Sequence, residues 1–175
     1  LLLRERADVC GFFMRLAQPD IDDQLERVAT IADRLSIKLV VIDLKQAFEA
    51  EVLDYFSTTY LQGQTPNPCM VCNRQIKFGL FLEAMAAKGM ERMATGHYAR
   101  IKKEGEIFRL YDGVDPKKDQ SYFLARLGQH QLSRLLFPLG ETFKSDIYEL
   151  VREHGFTNFE GSESQDVCFL GDESP

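Results

Sequence analysis

Two short apolar runs on either side of a helical pattern constrain the fold of this chain most strongly. Residues 9–14 and 37–44 have the length and apolar character of buried strands. The residues between them repeat at helical spacing behind Asp20 or Asp22 as N-cap, with one apolar face: Ile21, Leu25, Val28, Ala32 and Leu35. A strand, a helix and a second strand in this order form the unit of a parallel sheet. We therefore predict an α/β fold with an open, mostly parallel sheet and helices on both faces.

The pattern continues beyond the second strand. Residues 48–60 predict a helix closed by Gly63, and residues 92–95 predict a brief strand that runs into Gly96. A central helix after Cys72 is expected to end at Gly89, with these residues on its buried side: Ile76, Leu80, Phe81, Ala84 and Met85. In open parallel sheets, ligands lie beyond the carboxyl ends of the strands. Three places are therefore expected on that rim: Met14, Cys72 and Gly96 with His97.

The second half of the chain has a different texture. Residues 98–103 and 106–111 flank a turn and predict a β-hairpin, which a polar loop at 112–120 follows. Short helices are predicted in two segments, 132–136 and 147–154, the second ending before Gly155. An acidic, serine-containing loop is predicted at 161–166, before Cys168.

The polar run at residues 65–78 contains two cysteines three positions apart. Pro66 and Pro68 restrict the backbone leading to Cys69 and Cys72. A helix that begins near Cys72 would offer free N–H groups, and Lys77 and a neighbouring arginine would add positive charge. Both effects lower the pKa of a thiol. We therefore expect a reactive thiolate here.

The C-x-x-C spacing allows several kinds of site. A closed zinc site needs four ligands, and outside the pair the chain offers only Cys10, Cys168 and three histidines. A thioredoxin-like redox pair is a second interpretation, which the two preceding prolines do not favour. A reactive pair or a cluster-binding pair is the interpretation we prefer.

Composition limits the class of protein and the compartment to expect. The chain has 175 residues, 45% of them apolar, with no apolar run of the roughly 18 residues that a membrane span needs and no signal peptide. Four cysteines do not suggest a disulfide scaffold, so a reducing cytoplasm is the default expectation. The net charge of −6 comes from residues 141–175, with nine acidic and two basic residues. This negative charge argues against nucleic-acid binding only if that segment lies on the binding face.

Three features have ordinary interpretations as well as functional ones. His97 follows a glycine after a strand and is either a loop histidine or a ligand contact. Lys117 and Lys118 form either a solvated surface pair or a phosphate contact. Cys10 lies in an expected buried strand and is interpreted as inert packing.

Five spaced motifs carry a resemblance that extends over nearly the whole chain. They are residues 65–78 (TPNPCMVCNRQIKF), 94–100 (ATGHYAR), 118–124 (KDQSYFL), 137–140 (FPLG) and 164–170 (SQDVCFL). Together they resemble the bacterial and organellar tRNA-specific 2-thiouridylases. The resemblance implies a Rossmann-like PP-loop ATPase fold and conversion of the wobble uridine of certain tRNAs to 2-thiouridine. It implies ATP with Mg²⁺ as cofactor and tRNA as partner.

The resemblance also implies roles for individual residues. Cys72 matches the thiol that faces the target base, and Cys168 matches the thiol that receives persulfide sulfur. Two positions match contacts to the adenine nucleotide: Met14 and Gly96. Three match the segment around the target base: Asn67, Pro68 and Cys69. Four match tRNA contacts: His97, Lys118, Asp119 and Gln120.

The same resemblance predicts how the chain is divided. Residues 1–155 would form the catalytic domain, and residues 156–175 would begin a central tRNA-binding domain that carries Cys168. The family's pyrophosphate loop, Ser-Gly-Gly-x-Asp-Ser-Ser, would precede Leu1, and its C-terminal β-barrel is not in the sequence. We therefore expect a piece of a longer protein, and expect the piece to bind ATP poorly.

One departure from the family leaves the sulfur chemistry open. Many members have Asp where this chain has Cys69, so Cys69, Cys72 and Cys168 could ligate a [4Fe–4S] cluster with one open iron. Free sulfide would then be the donor. In the alternative, a sulfur-relay protein or cysteine desulfurase loads a persulfide on Cys168. A non-catalytic tRNA-binding protein and a zinc-stabilised interaction module remain the competing functions.

Overall fold

The structure is a computed structural model that describes residues 1–3, 8–156 and 168–169. The chain divides into two compact units. Unit 1 comprises Leu1–Met90 with Asp166–Pro175, and unit 2 comprises Glu91–Gln165. The predicted loop at 161–166 lies outside the described residues. The predicted domain boundary after residue 155 adjoins the same undescribed segment. The boundary therefore stays a prediction.

Unit 1 begins with the predicted strand, helix and strand. Strand β1 (Gly11–Arg15) pairs in parallel with β2 (Leu39–Asp43), and helix α1 (Ile21–Arg34) connects them. Phe13 lies opposite Val41 in this ladder. Asp20 is the N-cap residue of α1 by position, although its side chain makes no capping hydrogen bond. The βαβ unit is the one that the two apolar runs predict.

Two further helices complete unit 1, and each contains a π-helical segment. Helix α2 covers residues 45–61 as Lys45–Phe48, the π-helical Glu49–Leu53 and Asp54–Leu61. Helix α3 covers residues 68–86 as Pro68–Val71, the π-helical Cys72–Phe81 and Leu82–Ala86. The predicted stops follow these helices, since Gly63 and Gly89 adopt φ values of 72° and 86°. Such angles suit glycine, which has no Cβ to clash.

The buried face of α3 differs from the prediction at three positions. Leu80 was expected inside but is 47% exposed, whereas Phe78 and Leu82 are buried beside the expected Ile76 and Phe81. The prediction used the 3.6-residue period of an α-helix. In a π-helix the hydrogen bonds run from i to i+5, which widens each turn and rotates later residues around the axis.

The core of unit 1 lies where α2 and α3 meet the end of β1. Its buried residues are Leu16, Phe48, Val52 and Ile76. Partly buried residues packed against this group include Met14, Cys72 and Phe169. The core therefore contacts three positions of interest for function.

Unit 2 contains four strands and three short helices in its described part. In chain order they are β3 (Met93–Ala94), β4 (Ala99–Glu104), β5 (Ile107–Asp112), α4 (Ser121–Leu124), α5 (Gln129–Leu132), β6 (Leu135–Leu136) and α6 (Lys144–Glu153). Strands β3 and β6 pair in parallel, and β4 and β5 form the predicted hairpin around Gly105, whose φ is 61°. The helix predicted at 132–136 is wrong. The helix ends at Leu132, and Leu135 with Leu136 pairs with β3, because partner strands override local preference.

The parallel pairs and connecting helices confirm the predicted α/β class. Among the residues that the structure describes, no helix is both long enough and apolar enough to cross a membrane.

Candidate thiol site

The site is built around the N-terminus of α3. The side chain Oδ1 of Asn67 accepts a hydrogen bond from the Met70 backbone N–H at 3.1 Å, which caps the helix. Pro68 follows at the first helical position, where its missing N–H costs nothing. The Asn67 backbone N–H also donates to the Tyr55 hydroxyl at 3.3 Å, which joins this turn to α2. The Asn-Pro pair therefore fixes where the helix that carries the two cysteines begins.

Cys72 lies directly after the first turn of the helix, near that turn as predicted but not in it. The helix begins four residues earlier, at Pro68, and the Cys72 backbone N–H is already bonded to the Pro68 and Cys69 carbonyls. Cys69 occupies the first turn instead. Free N–H groups therefore do not stabilise a thiolate at Cys72.

The expected low thiol pKa is also wrong. Burial raises the pKa of Cys72 to about 11; Lys77 lowers it, and the nearby thiols of Cys168 and Cys69 raise it further. The pKa of Cys69 is raised too, first by burial and then by Cys168, against the lowering effect of Lys77. Basic residues close in sequence did not predict the pKa of these thiols, because desolvation has the larger effect on it. Cys72 is a protonated thiol at neutral pH.

Cys72 is expected to resist alkylation in the native full-length protein at about pH 8. With a pKa of about 11, only about one thiol in a thousand is ionised there, and the rate should rise about tenfold per pH unit. Iodoacetamide labelling of the Cys72 peptide across a pH series, followed by mass spectrometry, measures this. The urea-unfolded protein is the control and should titrate near the ordinary value. A native midpoint at or below the unfolded one would contradict the burial effect.

The same shift has a consequence for stability. Because the folded-state pKa lies above the ordinary value of 9.0, the native protein binds more protons than the unfolded chain between these values. The contribution of Cys72 to stability is therefore present below pH 9.0 and is lost as the pH rises through about 11.

Cys168 is exposed and belongs to the same unit as the pair. Its backbone carbonyl accepts a hydrogen bond from Gln18 Nε2 at 3.3 Å. The adjacent Phe169 ring packs edge-on against Phe48 and Phe56, with centroid separations of 5.8 and 5.2 Å. Cys72 and Phe169 pack against one core cluster, and Cys168 raises the pKa of Cys72. The structure therefore brings the two thiols that the sequence motifs single out within electrostatic reach of each other.

The three thiols interact electrostatically without forming a metal site. The pKa of Cys69 and of Cys72 both respond to Cys168. Yet among residues 1–3, 8–156 and 168–169, no three His, Cys, Asp or Glu side chains are placed to hold one metal ion. That absence concerns a single ion, whereas the cysteines of a [4Fe–4S] cluster each ligate a separate iron. The cluster hypothesis stays a prediction.

The positions matched to the adenine nucleotide lie in different units. Met14 lies in β1 and packs partly buried against the core of unit 1. Gly96 follows β3 in unit 2, where a Cβ would lie 3.5 Å from Leu139 Cδ1, an ordinary contact. Cys10, interpreted as packing, lies just before β1, and its thiol donates to the Lys38 carbonyl at 3.5 Å.

His97 is held within unit 2. Its Nδ1 lies 2.8 Å from Thr95 Oγ1, and its ring packs against Phe137 with centroids 5.6 Å apart. The Lys118 backbone N–H donates to the Asp115 carbonyl at 3.1 Å, in the loop after β5.

Asp119 and Gln120 organise that same loop. Asp119 Oδ1 accepts from the backbone N–H of Gly113 at 2.9 Å, and its carboxylate also accepts from Ser121. Burial raises the pKa of Asp119, but the hydrogen bonds from Gly113 and Ser121 outweigh it and leave the pKa lowered. Gln120 exchanges two bonds with Tyr98, accepting from its N–H at 3.0 Å and donating its own N–H to the carbonyl at 2.9 Å. These contacts position the polar loop against β4.

Sequence reasoning missed three contributors. Asp115 is buried and accepts from the backbone N–H groups of Lys117 and Lys144, each at 3.1 Å. Its Asp-Pro dipeptide signalled a turn but not a buried carboxylate. Gln18 bonds the Cys168 carbonyl across 150 positions of sequence, and Phe169 packs against Phe48 and Phe56 of α2. No local pattern indicates either contact.

The fold and the thiol site define a class: α/β domains with parallel strands, a cysteine pair at a helix start and a third, distant cysteine. The family model described as "tRNA methyl transferase HUP domain" matches residues 1–172, and the chain belongs to this family. A tRNA-specific 2-thiouridylase MnmA of Desulfotalea psychrophila is 55% identical over 170 residues, which is 97% of this chain and 49% of that protein.

Two further relatives have the same name. That of Treponema denticola is 44% identical over 183 residues, covering 99% of this chain and 50% of the relative. That of Syntrophomonas wolfei is 47% identical over 173 residues, covering 97% and 50%. The chain thus spans about half the length of the curated relatives that it matches.

Proposed function

We propose that the full-length protein is a tRNA-uridine 2-sulfurtransferase, which replaces the C2 oxygen of the wobble uridine in tRNA with sulfur at the expense of ATP. The names of the relatives support the reaction, and the thiol site supports the chemistry. One observation carries the proposal: the half-buried Cys72 packs against the core cluster that also holds Phe169, the neighbour of the exposed Cys168, and Cys168 acts on the pKa of Cys72. This is an arrangement suited to passing sulfur from an accessible thiol to an enclosed reaction.

The first step activates the base. The C2 oxygen of uridine attacks the α-phosphorus of ATP and pyrophosphate leaves, which converts the oxygen into a good leaving group. Met14 and Gly96 would contact the adenine nucleotide. Mg²⁺ would neutralise the phosphate oxygens during this step.

The second step transfers sulfur. A donor first leaves a persulfide on Cys168, whose exposure allows a partner protein to reach it. The terminal sulfur attacks C2 and AMP leaves, so that the base and Cys168 are joined by a disulfide. Cys72 then loses its proton and attacks Cys168 Sγ. This breaks the disulfide, leaves 2-thiouridine, and forms a Cys72–Cys168 bond that an external thiol reductant must reduce.

The raised pKa of Cys72 gives this order of events a physical basis. A protonated, half-buried thiol does not compete with the Cys168 persulfide for the activated base. It becomes a nucleophile only when its proton is removed inside the site. Lys77, which already lowers its pKa, favours that ionisation.

The remaining matched residues are proposed to bind tRNA in two groups. Asn67, Pro68 and Cys69 surround the target base at the start of α3. The other group lies in unit 2: His97, Lys118, Asp119 and Gln120. The side chains of Asp119 and Gln120 hydrogen-bond to backbone groups. Their proposed role is therefore to maintain the shape of the loop that presents Lys118. As tRNA is the substrate, the protein would work in the cytoplasm, with a sulfur-relay protein or cysteine desulfurase as donor.

Three other functions are separated by simple measurements. The family description speaks of a methyl transferase, but methyl transfer gives no role to a convergent pair of thiols. A non-catalytic tRNA-binding protein would bind tRNA without consuming ATP. A zinc-stabilised module, or the cluster route with free sulfide, would show metal: zinc, or iron with acid-labile sulfide, in anaerobically purified full-length protein. Product formation by a metal-free Cys69→Ala variant would eliminate the cluster route.

A further inference from the structure

We propose that Phe169 is a positioning residue: its ring anchors the segment that carries Cys168 so that the Cys168 thiol stays within reach of Cys72. This inference rests on the proposed sulfur transfer and adds a device to it. None of the motif-derived roles involves an aromatic residue next to a cysteine.

The anchor has a defined receptor in α2. The Phe169 ring meets Phe48 at an interplanar angle of 72° and Phe56 at 87°, both edge-to-face. Edge-to-face pairs at these separations are favourable beyond the area that they bury. Phe48 is fully buried, so the floor of this receptor is rigid. Phe56 is in turn packed against Tyr60, with centroids 4.9 Å apart, which supports its orientation.

The receptor is also tied to the second thiol. Phe48 belongs to the same buried cluster as Ile76, which lies one turn beyond Cys72 on α3. Cys72 and Phe169 pack against this cluster from their own segments. A ring seated here therefore sets the position of its neighbour Cys168 relative to Cys72. The hydrogen bond from Gln18 Nε2 to the Cys168 carbonyl adds a second, directional restraint on the same residue.

Such anchoring acts on the effective concentration of one thiol near the other. An unanchored cysteine samples many positions, and holding two reacting groups together raises the rate of their reaction by large factors. Losing two aromatic pairs and the burial of the ring corresponds to a fall of about ten- to a hundredfold in the docked population.

The test is the rate of Cys72–Cys168 disulfide formation in the full-length protein, in a Cys10→Ser, Cys69→Ser background. Diamide takes two electrons and two protons from the thiols as the disulfide forms, so neither ATP nor tRNA is needed. Phe169→Ala is expected to slow this reaction by about ten- to a hundredfold. Phe169→Leu, which keeps an apolar side chain of similar size, should recover much of the rate. Phe143→Ala, which removes a half-exposed ring from unit 2, is the matched control and should react like the parent.

A second variant addresses the receptor. Phe56→Ala should also slow disulfide formation, and the double variant with Phe169→Ala should be slowed by less than the sum of the two single effects, because both changes remove the Phe56–Phe169 contact. In the thiolation assay, with Cys69 and Cys10 intact, Phe169→Ala should lower kcat and leave the KM for ATP unchanged.

The outcomes separate the two proposals. If the parent protein makes 2-thiouridine but Phe169→Ala oxidises at the parent rate, the anchor is wrong and the function stands. If the parent makes none while Phe169→Ala still slows the disulfide, the anchor stands and the function fails. Fully additive effects of Phe56→Ala and Phe169→Ala would also overturn the anchor.

Discussion

Replacing Cys168 with serine in the full-length protein is expected to lower 2-thiouridine formation by at least about a thousandfold, because a hydroxyl cannot carry the persulfide sulfur. Cys72→Ser should fail to a similar extent for a different reason. The persulfide on Cys168 still attacks the activated base, but nothing then cleaves the disulfide that joins them. The two variants therefore fail at different steps.

This difference gives a sharper readout than activity alone. Cys72→Ser should accumulate a covalent tRNA–protein adduct that a thiol reductant releases, and Cys168→Ser should give no adduct. Gel electrophoresis with and without reductant, beside nucleoside analysis of the tRNA, distinguishes them. Cys10→Ser is the matched control and should be nearly silent, since that thiol donates only weakly to the Gly11 and Lys38 carbonyls. Normal product from Cys72→Ser would end the proposed thiol relay.

Gly140→Ala is expected to destabilise unit 2 by about 3 kcal/mol or more. A Cβ at this position would overlap the Ala99 carbonyl oxygen and lie 2.7 Å from its carbonyl carbon and 3.0 Å from Arg100 Cγ. The obstacle is backbone of β4, which cannot move aside as a flexible side chain can. The Gly140 carbonyl also accepts from the Val114 N–H at 3.0 Å, so a shift at this turn would strain the loop after β5.

Thermal unfolding of the full-length protein measures the effect, with an expected fall of several degrees in the melting temperature. Gly128→Ala is the matched control. A Cβ there meets nothing within 4 Å, and its φ of −91° is accessible to alanine. The control should cost less than about 1 kcal/mol, mainly from the change of helix N-cap. Equal shifts for the two variants would show that close packing at Gly140 is not the cause.

The parts of the fold that the sequence predicted well are those that depend on local patterns. The apolar runs gave β1 and β2 to within two residues, and the glycines at 63, 89 and 155 follow helices with φ between 72° and 86°. The errors lie where another segment decides. Leu135 and Leu136 form a strand because β3 pairs with them. The exposed Leu80 follows from a π-helical segment, which apolar spacing alone does not indicate.

In the candidate site too, local features were predicted and features that depend on distant segments were not. The cysteines, the capping Asn67 and the polar loop were visible as motifs, since their spacing is local. The protonation of Cys72 was predicted in the wrong direction, because burial depends on α2 and on residues far along the chain. The role of Phe169 was not visible for the same reason. Its partners, Phe48 and Phe56, are more than a hundred positions away.

The central claim, sulfur transfer to the wobble uridine, is tested most directly by nucleoside mass spectrometry. The purified full-length protein is incubated with an unmodified tRNA transcript, ATP, Mg²⁺, a cysteine desulfurase with cysteine, and a thiol reductant. The account predicts 2-thiouridine at the wobble position, with one AMP and one pyrophosphate released per modified base, and none without ATP. A transcript with cytidine at that position should stay unmodified. A tRNA that is bound but gains no sulfur, or that gains a methyl group instead, would contradict the account.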